Sequence, residues 1–167
     1  MANIPTIAKL IGEGRCWRNG NYDLNYRSFK KKYVVDSHFI VLDFDAVKRT
    51  PKQMCNIMEP NFWYYTLSQG VKPGNNFRMV WVLTEAIGPQ DFAFVYEWFL
   101  KKFPLADRNV KDISRMWYGG NGIYKVLSSD LTDISDILEL RRSGQGLRPS
   151  PPTAIEGYAH KVEVGPH

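Results

Sequence analysis

The sequence predicts an α/β (α+β) fold with a split β-α-β-β-α-β sheet core and an N-terminal extension. Three observations carry that prediction. The run "FIVLDFDAV" (39–47) is apolar and alternates, as a strand does. "FWYYTL" and "FRMVWVL" are aromatic and β-branched, and the loop between them carries two Gly and a Pro. Beyond them, Phe92, Val95, Phe99 and Phe103 recur at helical spacing.

Taken in order, residues 1–32 read as mixed, with "RNGNYDLNY" as turn and loop and "SFKKKY" as an exposed approach to the first strand, about 37–45. "RTPKQMCNIM" carries helix-start chemistry: Thr50 as cap, Pro51 at the first helical position, and Pro60 past the end. Residues 62–67 and 77–83 form a hairpin with a long tip, "SQGVKPGNN". The next helix starts at Gly88-Pro89, with Asp91 in its first turn and Lys101 and Lys102 in its last, each charge matched to the dipole. "RMWYGG" (115–120) and "IYKVL" (123–127) read as short strands, and "TDISDILELRR" (132–142) as a helix capped by Thr132 or Ser135. From Ser143 to His167 the composition is rich in Gly, Pro and Ser, the signature of a tail or linker. The order matches an RRM-like or ferredoxin-like core with helices on one sheet face and the other face free.

At 167 residues and 44% hydrophobic, the chain has the apolar content for one core, so one domain is expected. No stretch reaches the length of a transmembrane helix, and the start lacks the layout of a secretory signal, which favours a cytoplasmic protein without membrane partners. Cys16 and Cys55 show neither a disulfide framework nor zinc spacing. The net charge is +5, and Lys9, Arg15, Arg18, Arg27, Lys30, Lys31 and Lys32 face only Glu13 and Asp23 near the N-terminus. Such a patch suits a polyanion, although a solvated basic face has the same composition.

The chemistry starts at Asp43 and Asp45. Two residues apart on a strand, they share a face, opposite Ile40, Leu42 and Phe44. Adjacent carboxylates repel and resist burial, and a hard cation such as Mg²⁺ or Mn²⁺ would offset both costs. The alternative is one Asp capping a turn and the other in a salt bridge. The hairpin tip adds Ser68, Lys72 and Arg78, which suit phosphates, with Gly70 and Gly74 for close backbone approach. "ADRNVKDISRMWYGG" adds Asp107, Asp112, Ser114 and Arg115 ahead of an aromatic pair and two glycines.

Together these segments resemble the archaeo-eukaryotic primase superfamily, in particular the primase-polymerase domains of plasmid and phage replication proteins. "VLDFD" is similar to the first motif, an apolar strand ending in Asp-x-Asp. Thr66, Ser68, Phe77 and Arg78 match the second in its "T-x-S…FR-x-V" form, and Asp107, Ser114, Arg115, Tyr118 and Gly119 match the third. The resemblance covers about residues 37–127 and departs in lacking a His in the second motif, since the histidines are His38, His160 and His167.

The resemblance implies a catalytic domain over 1–142, with 143–167 as tail, performing template-directed nucleotidyl transfer. Asp43, Asp45 and Asp107 are then the ligands of two divalent ions (Mg²⁺ or Mn²⁺), with Asp107 preferred to Asp112 from its spacing to Ser114 and Arg115. Ser68, Lys72, Arg78 and Arg115 are the expected nucleotide-binding residues, and Trp117 or Tyr118 a stacking surface. The implied partners are a DNA template and primer, nucleoside triphosphates, and a helicase, separate or C-terminal. The rivals are an RRM-like nucleic-acid-binding module and an initiator that keeps the primase fold without activity. A nicking initiator needs a His-x-His pair, which the sequence lacks.

Overall fold

The structure is a computed structural model and describes residues 3–26 and 28–144. The expected tail from residue 145 onward lies outside the described residues. The elements are α1 (Ile4–Gly12), β1 (Trp17–Arg18), β2 (Gly20–Tyr22), β3 (Val34–Val47), α2 (Pro51–Cys55), β4 (Phe62–Thr66), β5 (Asn75–Ile87), α3 (Pro89–Lys102), β6 (Met116–Trp117), β7 (Gly120–Val126) and α4 (Ser135–Arg142). The α+β class and the chain order β3-α2-β4-β5-α3-β7 agree with the expectation.

The main sheet runs β2-β3-β5-β4-β7, with every neighbouring pair antiparallel. The last strand therefore lies on the β4 edge, while the short β2 takes the edge beside β3. The segment after α3 explains the crossing. It passes the Asp43 end of the sheet, where Asp107 N–H donates to the Asp43 carbonyl at 2.8 Å, and so reaches the far edge.

Strand alternation divides the apolar side chains between two faces. Ile40, Leu42 and Phe44 of β3 join Met79 and Trp81 of β5 under α3 and α4, whose Phe92, Val95, Phe99 and Leu138 complete this core. Phe44 stacks on Phe77 at 4.7 Å, and Trp81 meets Phe99 edge-on at 4.9 Å.

The second face is not free, contrary to expectation. α1 packs Ile4, Ala8 and Ile11 onto Val41, Phe62, Tyr64, Val80, Val82 and Trp117. Residues 1–32 thus contain a helix where the sequence reading saw mixed structure. Its signals are Asn3, whose Oδ1 accepts Thr6 N–H at 3.2 Å, Pro5 in the first turn, and an apolar stripe spaced by four and three. Trp117 is only 1% exposed in this second core, so it offers no stacking face to a base.

Two smaller corrections concern helix ends. Neither Thr132 nor Ser135 caps α4: Thr132 is held against the sheet, donating N–H to Val82 O at 2.7 Å and its hydroxyl to Asn61 Oδ1 at 3.1 Å. Asp133 Oδ1 instead accepts Ser135 N–H at 2.9 Å. α2 has the expected Thr50 cap, in a capping box with Gln53, but stops at Cys55 because Asn56 closes it as C-cap. Cys16 and Cys55 are free thiols. Among the described residues no helix is long and apolar enough to cross a membrane.

Candidate active site

Where the cover of α1 ends, the second face opens at Asp43 and Asp45. The β3–β5 register shifts between Phe44 and Val47, and Ala46 adopts φ 55°, a left-handed conformation that costs a side-chain-bearing residue about 1 kcal/mol. Asn76 holds the bend, its Oδ1 accepting Ala46 N–H at 2.9 Å. Gly74, at φ 75°, comes so close that a Cβ there would lie 2.8 Å from the Ala46 carbonyl carbon. The tip of the β4–β5 hairpin is thereby pressed against the turn that follows Asp45.

A cleft of about 180 Å³ results, lined by Asp43, Asp45, Ser68, Lys72, Arg78 and Tyr118 with their neighbours. Its size suits a phosphate group and its ion better than a whole nucleotide, which needs several hundred Å³. Lys72 Nζ stands 3.4 Å from Asp45 in an exposed pair. Arg78 Nε–H donates to Asp43 Oδ1 at 3.1 Å, and its Nη1 donates to Tyr118 O at 2.7 Å and Tyr64 Oη at 3.4 Å. The guanidinium carbon also lies 4.9 Å from the centre of the Trp117 ring.

Burial pushes the Asp43 carboxyl up, against the pull of Arg78, and the nearby charges of Asp107 and Asp45 push it further. This donor set suits a hard divalent cation. Two carboxylates sit on one rigid strand, and a cation beside them would offset both the burial and the repulsion. A preassembled three-ligand site is absent: among the described residues no group of three or more His, Cys, Asp or Glu could hold a metal.

Asp107 is tied to Asp43 through its backbone, while its Oδ1 accepts Asn109 N–H at 2.9 Å. Asp112 is engaged elsewhere, its Oδ1 accepting both Ser114 N–H at 2.8 Å and the Ser114 hydroxyl at 2.7 Å. Of the two acids, Asp107 is the one whose charge acts on Asp43. Arg115 stacks its guanidinium carbon 5.0 Å from the Trp117 ring centre and leaves a buried Nε without a hydrogen-bond partner. The cleft thus gathers Asp43, Asp45, Ser68, Lys72 and Arg78, and leaves Asp107 and Arg115 outside its lining.

Sequence reasoning missed Tyr64 and Asn76. Tyr64 Oη accepts from Arg78 and also from Trp17 Nε1 at 3.3 Å, linking the N-terminal segment to the cleft. The alternation of "FWYYT" already placed Tyr64 two residues from Phe62 on one face. Tyr118, 59% exposed, remains available at the cleft mouth.

No family model matches the chain, and no curated protein matches it. Among solved structures it is similar to the AEP domain of the primase-polymerase (PrimPol) of cyanophage S-2L, at 13% identity and a TM-score of 0.50. The match covers 67% of this chain and 64% of that one, so the chain spans a little under two thirds of that structure's length. A likeness at this identity speaks to the fold alone: a mixed α+β domain similar in architecture to that structure.

Proposed function

We propose that this chain is the catalytic domain of a DNA primase-polymerase, carrying out metal-dependent, template-directed nucleotidyl transfer in plasmid or phage replication. The observation that carries the reading is the convergence, on a primase-like sheet, of Asp43 and Asp45 with Lys72, Ser68 and Arg78 in one cleft. Carboxylates for a cation and cations for phosphates, side by side, are what phosphoryl transfer requires.

Asp43 and Asp45 would hold Mg²⁺ or Mn²⁺, with Asp107 as the expected third ligand of a two-ion set. Bound there, the ions supply charge neutralisation at the triphosphate and activation of the attacking 3′-hydroxyl. Lys72 and the Ser68 turn bind and orient the phosphates. Arg78 neutralises Asp43 until a nucleotide arrives and then stabilises charge on the transferring group. Arg115 sits outside the cleft lining and, on this reading, supports the site from behind the Trp117 ring. The partners are a primed DNA template, nucleoside triphosphates, and a helicase, separate or C-terminal.

One observation favours a second reading. Arg78 already occupies Asp43, and among the described residues no three-ligand group is assembled. A nucleic-acid-binding or initiator domain that kept the primase fold without catalysis would look like this.

Extension of a labelled primer on a DNA template with Mg²⁺ or Mn²⁺ separates the two. The control is Asp45→Asn, because the Asp45–Lys72 pair is about half exposed on both sides. Removing it costs less than about 1 kcal/mol of stability. Extension is expected to fall on the order of a hundredfold in this variant while its melting temperature stays near that of the parent. No extension by the folded parent with either metal would leave the binding domain as the better account.

A further inference from the structure

We propose that the tip of the β2–β3 hairpin is a stacking platform for single-stranded DNA, built from Tyr26, Phe29 and Lys30, Lys31 and Lys32. The hairpin is closed by Asp23 N–H donating to Tyr33 O at 2.9 Å, and its rings are fixed without being buried. Tyr26 stacks on Tyr33 at 4.2 Å with planes 13° apart. Phe29 meets Tyr22 edge-on at 5.1 Å, and the Arg18 guanidinium carbon lies 4.6 Å from the Phe29 ring centre. Yet Phe29 is 63% exposed and Tyr26 51%.

A loop that used these rings only to hold itself together would turn them inward. Rings clamped edge-on or on one face, with the rest in water, are arranged to receive another flat group. The charge selects the partner. Lys30, Lys31 and Lys32 are all exposed and outnumber the acids Asp23 and Asp36 at the base of the hairpin, while Asp112 feels the charge of Lys31. Asp23 Oδ1 accepts Asn25 N–H at 2.9 Å, and Asp36 Oδ1 accepts Asn21 Nδ2–H at 2.7 Å. Exposed aromatics interleaved with this run of lysines suit a chain of stacked bases on a phosphate backbone better than a protein surface.

The platform is joined to the cleft. Arg18 Nη1 and Tyr22 Oη both donate to Ser114 O, at 3.2 and 2.9 Å, and the segment from Ser114 leads to Tyr118 at the cleft mouth. A strand stacked on the tip therefore has a route toward Asp43 and Asp45. The inference deepens the polymerase reading and rests on it for the identity of the polyanion as template.

The test is fluorescence anisotropy with a labelled oligo(dT), in EDTA and without nucleotide, so that strand binding is read apart from catalysis. Tyr26→Leu/Phe29→Leu keeps apolar bulk but removes the rings, and its affinity is expected to fall about tenfold or more. Phe29→Tyr keeps a ring and should bind as the parent does, which separates stacking from a fold defect. Lys30→Gln/Lys31→Gln/Lys32→Gln should lower the salt slope of binding by roughly 2. Parent-like binding by the Leu pair, or equal affinity for duplex and single strand, overturns the platform. Loss of binding in the tip variants, with no extension by any protein, would keep the platform while the polymerase reading fell.

Discussion

Arg78 stands directly across from Asp43 in the β3–β5 register and donates Nε–H to its Oδ1 at 3.1 Å. Both side chains are mostly buried, at 12% and 15% exposure, so neither charge is left to water. Removing one partner of such a pair strands the other. Arg78→Met is therefore expected to cost about 3 kcal/mol. Asp43→Asn should cost less, because burial already pushes that carboxyl toward its neutral form. The double variant should recover part of the loss, a coupling of about 1–3 kcal/mol. Urea denaturation of the parent, both single variants and the double variant measures it. Additive losses would show that the two residues do not act as a unit.

Gly119 makes the floor of the same cleft possible. A Cβ there would fall 2.2 Å from Gly14 C and 2.6 Å from Arg15 N, both backbone atoms that cannot swing aside. Gly119→Ala must force the segment after α1 away from the β6–β7 junction, at about 2–3 kcal/mol. It should also loosen the Tyr118 carbonyl that anchors Arg78. Gly122 is the contrast: at φ 102° its Cβ would meet open space, so Gly122→Ala costs only backbone strain, about 1 kcal/mol. Thermal melting of the two variants should rank them in that order. Equal losses would mean that the N-terminal segment yields without cost.

The parts of this fold that could be read from the sequence are those carried by local chemistry. The period of β3, the Pro51 and Pro89 helix starts and the dipole-matched ends of α3 all follow from residues within one turn or one strand. The shared face of Asp43 and Asp45 follows likewise. What escaped depends on partners far along the chain. That Arg78 meets Asp43 is a matter of register between strands 35 residues apart, which periodicity does not encode. The placement of β7 beside β4 depends on the path of the segment past Asp43. α1 is different: its cap and stripe were present in the sequence, but the helix is short and its apolar face has a purpose only once a second sheet face exists to cover.

Asp112 ties the third motif to the hairpin tip, and its titration gives a pH signature. Partial burial works to raise its carboxyl, but the Ser114 N–H and hydroxyl, with the charges of Lys31 and Arg115, hold it below the ordinary aspartate value. A folded-state value below the unfolded one means stability that is present above about pH 4 and lost as the pH falls through the lowered value. Asp112→Asn removes that contribution. The variant should melt below the parent at pH 7, by an amount equivalent to about 1 kcal/mol for a partly solvated turn hydrogen bond of this kind. The gap should narrow as both proteins are taken below pH 4, because the parent then loses what the variant never had. Ser114→Ala should give the same trend from the donor side. The Ser114 carbonyl accepts from Arg18 and Tyr22, so both variants should also loosen the hairpin tip and weaken oligo(dT) binding at neutral pH. A stability gap that held constant from pH 7 to pH 3 would show that the Asp112 charge contributes nothing to holding this segment in place.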